Sequence, residues 1–188
     1  MEKIYFSEIR EKIYELEKLY DELELISKNI RGELETRGLY KQHAFIDYYE
    51  FTFFCGEYTH EGYRELVYDT GLFKFNIYIN NNEKSTIGTG FIKEMIKKYK
   101  INSIYEKINN LTSHLSEVIY DVCDKLEKEK GFNVIVGDFN PLTLKFEISA
   151  GYNKLKWHEI TINGIDFEIE CRDDIFEFLV DLLKQPYL

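Results

Sequence analysis

The chain has 188 residues, 44% hydrophobic and 31% charged, with 34 acidic against 24 basic side chains and a net charge of −10. Its apolar content and only two prolines exclude a disordered chain. The negative balance argues against unspecific affinity for nucleic acid or anionic membrane, and fits a basic partner or plain solubility. Fifteen Tyr and 14 Phe supply bulky core material and also suit a binding surface. Cys55, Cys123 and Cys171 are odd in number and lack paired spacing, which points to a reducing compartment with buried thiols. The first ten residues, MEKIYFSEIR, carry no apolar signal-peptide region, and no apolar run reaches membrane-span length. The expected location is cytoplasmic.

In chain order, residues 7–35 read as a helix with Ser7 as its N-cap. Ile9, Leu16, Leu23 and Ile30 repeat at seven, with Ile13, Tyr20, Ser27 and Leu34 four residues on, a heptad seam. Gly32 and Gly38 are candidate helix ends. Residues 44–55, AFIDYYEFTFFC, read as one strand with aromatics on both faces, hence as core. Residues 57–63 read as a loop, 65–68 as a short strand, and 72–79 as an alternating strand with Phe73, Phe75, Ile77 and Ile79 on one side. Amphipathic helices follow over 89–99 and 103–130. The second carries Ile101, Ile108, Leu115 and Val122 interleaved with Ile104, Leu111 and Val118, a second heptad seam, and Gly131 fits its C-terminal cap. Two such seams pack on each other at a shallow angle, or one of them makes a homodimer.

The last third reads as a meander over 133–171. It contains a strand over 133–136, an alternating strand from Leu142 to Ala150, and a turn at Gly151–Asn153. A hairpin then runs through Asn163-Gly164, the strongest short-range turn signal in the chain. A mostly apolar helix over 173–184 closes it. The expected fold is α+β in a single domain, 1–188. It comprises antiparallel sheet elements in two strand groups, two long heptad-patterned helices and a buried C-terminal helix.

The hairpin register sets Glu159 against Glu168, with Asp166, Glu168 and Glu170 on one face at roughly 6.6 Å intervals. Opposed carboxylates repel and call for a positive charge over them. With Asp173 and Asp174 they form the expected partner-binding set. From Glu159 to Asp181 there are eight acids and one base, whereas Phe91 to Lys107 holds five lysines.

Gly88-Thr89-Gly90 enters a helix and, with Lys93 and Lys97, is the alternative, an anion-binding site. Its spacing matches neither a P-loop nor a dinucleotide fingerprint. Cys55, His60 and His43 form a loose thiol–imidazole cluster without metal-ligand spacing, so neither metal nor cofactor is expected. His158 next to Glu159 reads as a strand-bulge residue rather than an acid–base pair. The aromatic run Phe45–Phe54 could stack bases, but its neighbours Asp47, Glu50, Glu57 and Glu61 would repel phosphates.

No catalytic set is present in the sequence. The expected function is therefore that of a non-enzymatic acidic binding module. It would be an inhibitor of the counter-defence or immunity type, carried by a phage or mobile element, and would occlude a basic site of a nucleic-acid-handling protein. The expected partner is a protein with a basic surface, with no direct nucleic-acid or membrane binding. The alternatives are a small nucleotide- or phosphate-binding enzyme and a helix-mediated oligomer.

Overall fold

The computed structural model describes residues 6–57, 62–136, 145–153, 156–163 and 175–184. The fold is α+β. Helix α1 (Phe6–Glu35) is followed by strands β1 (Gln42–Ile46), β2 (Glu50–Cys55), β3 (Tyr63–Asp69) and β4 (Lys74–Asn80). Helices α2 (Thr89–Lys98) and α3 (Ile101–Lys130) come next, then strands β5 (Asn133–Val136), β6 (Lys145–Asn153) and β7 (Lys156–Asn163), and helix α4 (Ile175–Lys184). The chain forms two compact units, one of residues 17–109 and one of residues 1–16 with 110–188.

The first unit is built on a four-stranded sheet in the order β1-β2-β4-β3. It is mixed rather than antiparallel: β2 and β4 pair in parallel, while β1 pairs with β2 and β3 with β4 in antiparallel fashion. The chain leaves β2, passes to the far edge as β3, and returns as β4 into the gap. Gly56 makes the departure. Its φ of +96° suits glycine, and a Cβ there would stand 2.8 Å from the Asn80 Cβ.

Residues 44–55 are two strands, not one. The chain reverses at Asp47-Tyr48-Tyr49, where the Asp47 side chain accepts the Tyr48 N–H and the Asp47 N–H donates to the Glu50 carbonyl at 2.8 Å. An aspartate bonding its own next backbone groups is a turn former without Gly or Pro. The Tyr105 hydroxyl, from α3, reaches the Asp47 and Glu50 carbonyls at 2.9 and 3.0 Å and clamps the turn. Its ring stacks on Phe73 with centres 4.0 Å apart.

On one face of this sheet Phe51, Phe53, Cys55, Phe75, Ile77 and Ile79 are buried. The Phe51, Phe53 and Phe75 ring centres lie 5.1–5.6 Å apart. Helix α2 lies against β3, and buries Phe91, Ile92, Met95 and Ile96.

Along α1, Ile9, Ile13, Leu16, Leu23, Ser27, Ile30 and Leu34 are buried. Ser7 and Gly32 lie inside this helix, while Gly38 follows its end at φ +78°. Along α3 the buried residues are Ile101, Ile104, Tyr105, Ile108, Leu115, Ile119, Val122, Cys123 and Leu126. Leu111 and Val118 are only half-buried, so the second buried line runs through Tyr105, Ile119 and Leu126. That line starts four residues after the first, as in α1, rather than three.

In the second unit β5, β6 and β7 form an antiparallel sheet in that order. Gly131 (φ +71°) closes α3, and the Val134 N–H donates to the Glu127 carboxylate at 3.1 Å. Strand β6 does not turn at Gly151–Asn153; it runs on to Asn153, which pairs with Lys156. The irregularity there sets Gly151 and Tyr152 opposite Trp157 alone, so the extra residue is on β6 and not at His158. In α4, Phe176, Leu179 and Val180 are buried, and Lys125 Nζ stands 4.2 Å from the Phe176 ring centre. Among the described residues no helix is long and apolar enough to cross a membrane.

Candidate functional site

The far face of the four-stranded sheet carries its own aromatic array. Pairing sets its rows. Glu50, Lys74 and Asp69 form the first; Phe45, Thr52, Asn76 and Val67 the second; His43, Phe54, Tyr78 and Glu65 the third; Asn80 and Tyr63 the last. Phe45 is 48% exposed, Val67 41% and Phe54 37%, so this face is open where the other is closed. The expectation that Phe45 and Phe54 are core is thus corrected: the turn at Asp47 resets the alternation and brings both onto the open side. Phe54 stacks on Tyr78 with ring centres 4.9 Å apart and meets Tyr63 edge-on at 6.2 Å.

Three carboxylates (Glu50, Glu65, Asp69) stand on this face against one lysine, Lys74. The Tyr78 hydroxyl donates to Glu65 at 2.6 Å, a charge-assisted bond that pushes the phenol up to about 12. At one corner a hollow of about 480 Å³ is lined by Lys41, His43, Phe54, Gly56, Glu57 and Tyr63, with Lys41 ion-paired to Glu57. In the middle of this face Thr52 and Asn76 are buried, 3% and 4% exposed. The Asn76 amide donates to the Thr52 hydroxyl at 3.1 Å, and its carbonyl oxygen has no partner.

A second concavity, about 620 Å³, lies where β3, α2 and α3 meet. Lys93, Ile96 and Lys97 of α2, Lys100 of the α2–α3 turn, and Asn102, Ser103 and Glu106 of α3 line it, with Tyr68, Asp69 and Thr70 opposite. Lys93 and Lys97 are the two lysines of the sequence-level anion site. Gly88, Thr89 and Gly90 are not among the lining residues. Gly88 is the N-cap of α2 with no side-chain cap bond, and a Cβ on Gly88 or Gly90 would meet nothing within 4 Å. The neighbouring Lys98 is engaged elsewhere, paired with Glu33. Glu33 also takes Arg37 at 3.1 Å, and these bonds from Lys98 and Arg37 hold its carboxyl below the usual range.

Of the acidic set, Glu159 lies in β7 opposite Ser149 of β6. Asp166, Glu168, Glu170, Asp173 and Asp174 lie outside the described residues, and with them the Glu159–Glu168 opposition and the Asn163-Gly164 hairpin. Cys55 and His43 sit on opposite faces of the sheet, so they form no cluster; His60 lies outside the described residues. Burial pushes the Cys55 and Cys123 thiols up to about 12, which makes them poor nucleophiles. Among the described residues no three His, Cys, Asp or Glu side chains are placed to hold a metal ion. No family model, no curated protein and no solved structure matches the chain.

Proposed function

We propose that the chain is a non-enzymatic binding module whose docking surface is the open aromatic face of the four-stranded sheet, and that its partner is a protein with a basic surface. The observation that carries this is that Phe45, Phe54, Tyr63 and Tyr78 share one face of the sheet with Glu50, Glu65 and Asp69. Aromatic rings dominate the energetics of interfaces. A guanidinium lies flat on such a ring while donating to a carboxylate, so arginine is the side chain this face suits best. The hollow beside Phe54 and Tyr63, with Glu57 on its wall, has room for one. On this reading the protein works by occlusion in the cytoplasm, as an inhibitor of the counter-defence or immunity type. The heptad seams of α1 and α3 are then scaffold or a dimer contact.

The test is binding of a short arginine-containing peptide and of its glutamate-substituted counterpart. The arginine peptide is expected to bind saturably, and Phe54→Ala with Glu65→Gln to weaken it at least tenfold, a loss of about 1.4 kcal/mol or more. Equal binding by the variant, or by both peptides, would remove this face from consideration.

A further inference from the structure

We infer that the groove between β3, α2 and α3 is a binding site for a small phosphomonoester whose organic part carries hydroxyl groups. The inference does not depend on the sheet-face reading, because it rests on the lysines of α2 and of its link to α3 and on a different charge sign; Asp69 alone is common to both. In a chain of net charge −10, three lysines, Lys93, Lys97 and Lys100, line one concavity. Among the described residues none of the three is within 4.0 Å of a carboxylate, whereas Lys41, Lys98 and Lys128 all are. Three lysines against the two carboxylates of Asp69 and Glu106 leave the groove with an excess of positive charge, which a bound anion would offset.

The three lysines reach the groove from two kinds of backbone. Lys93 and Lys97 are four residues apart on α2 and so share one side of it. Lys100 occupies the two-residue link to α3 in the left-handed region, φ +52°, which few non-glycine residues adopt. Lys93 Nζ lies 5.1 Å from the centre of the Tyr68 ring, which directs that ammonium across the groove toward β3.

The rest of the lining defines the ligand class. The volume of about 620 Å³ exceeds what a lone phosphate fills and falls within the range of small-molecule sites, roughly 300–1,000 Å³. Asp69 and Glu106 are acceptors and would oppose a polyphosphate, yet suit the hydroxyls of a polyol or sugar. Asp69 Oδ1 already takes the Gly71 N–H at 2.8 Å, so its carboxylate is held in place. Ser103 and Asn102 add neutral polar groups next to Lys100. The lysines would thus hold the phosphate and the carboxylates the hydroxyls, with Ile96 and Tyr68 as the apolar contact.

Titration of the isotope-labelled full chain at constant ionic strength tests this, with inorganic phosphate, a hexose monophosphate and the unphosphorylated hexose as probes. The expected result is saturable binding of the hexose monophosphate, tighter than phosphate, with shifts confined to residues 68–70 and 93–106 and none for the free hexose. Lys97→Gln with Lys100→Asn should weaken binding at least tenfold; asparagine tolerates the backbone at Lys100. Lys128→Gln should leave binding unchanged, and Lys97→Arg should retain it. No saturable binding at millimolar hexose monophosphate, or shifts spread evenly over all lysines, would overturn the assignment. Equal affinity for the free hexose would overturn it as well.

Discussion

The two faces of the four-stranded sheet are made of nearly the same material and do opposite things. One carries Phe51, Phe53 and Phe75, all fully buried; the other carries Phe45 and Phe54, each more than a third exposed. The difference lies in what stands between the rings. The closed face fills the gaps with Cys55, Ile77 and Ile79, whereas the open face fills them with Thr52, Asn76, His43 and Glu65. An aromatic ring closes into core where its neighbours are apolar and stays partly exposed where they are polar.

Truncation should separate the faces most sharply. Phe75→Ala removes a buried ring from the three-ring cluster and is expected to cost about 3–5 kcal/mol, whereas Phe45→Ala should cost less than about 1 kcal/mol. Denaturant unfolding of the two variants makes the comparison, and similar losses would mean the faces are not different. A smaller effect is expected in the polar middle of the open face. Thr52→Val leaves the Asn76 amide group without its acceptor and should cost about 1–2 kcal/mol, whereas Thr52→Val with Asn76→Val should come back near the wild type. If the double variant were the worst of the three, the polar pair would be a net stabiliser.

The smallest effect is in pH. Tyr78 has its phenol raised to about 12 in the folded chain, chiefly by its bond to Glu65, so the native state holds that proton more tightly than the unfolded state does. Its contribution is fully present below the ordinary tyrosine pKa near 10 and is lost as pH rises from there through about 12. Glu65→Gln should move the Tyr78 titration back toward its ordinary value, read by phenolate absorbance; an unmoved titration would place the cause elsewhere.

The sequence made parts of this legible and hid others for identifiable reasons. The alternation of Phe73, Phe75, Ile77 and Ile79 located β4 and its buried side, because one face of that strand is polar enough for period two to show. The β1–β2 hairpin was hidden. Its turn, Asp47-Tyr48-Tyr49, lacks Gly, Pro and Asn, and the aromatics run straight through it; only Asp47 signalled a reversal. Reading through that turn made Phe45 and Phe54 look like core. The parallel pairing of β2 with β4 is non-local and leaves no trace in periodicity. The five lysines between Phe91 and Lys107 were plain as a charge cluster. Which of them converge depends on the backbone at Lys100 and on Glu33, 65 residues away from Lys98, and neither follows from spacing.

The central claim, that the open face is where a basic partner docks, is tested most directly by amide hydrogen exchange with and without the arginine-containing peptide. Docking should slow exchange in β1 and in the edge strand β3, on either side of Phe54 and Tyr78, and leave α2 and the helical wall of the lysine groove, Lys93 to Glu106, unchanged. Protection confined to other surfaces, with β1 and β3 unaffected at saturating peptide, would contradict it.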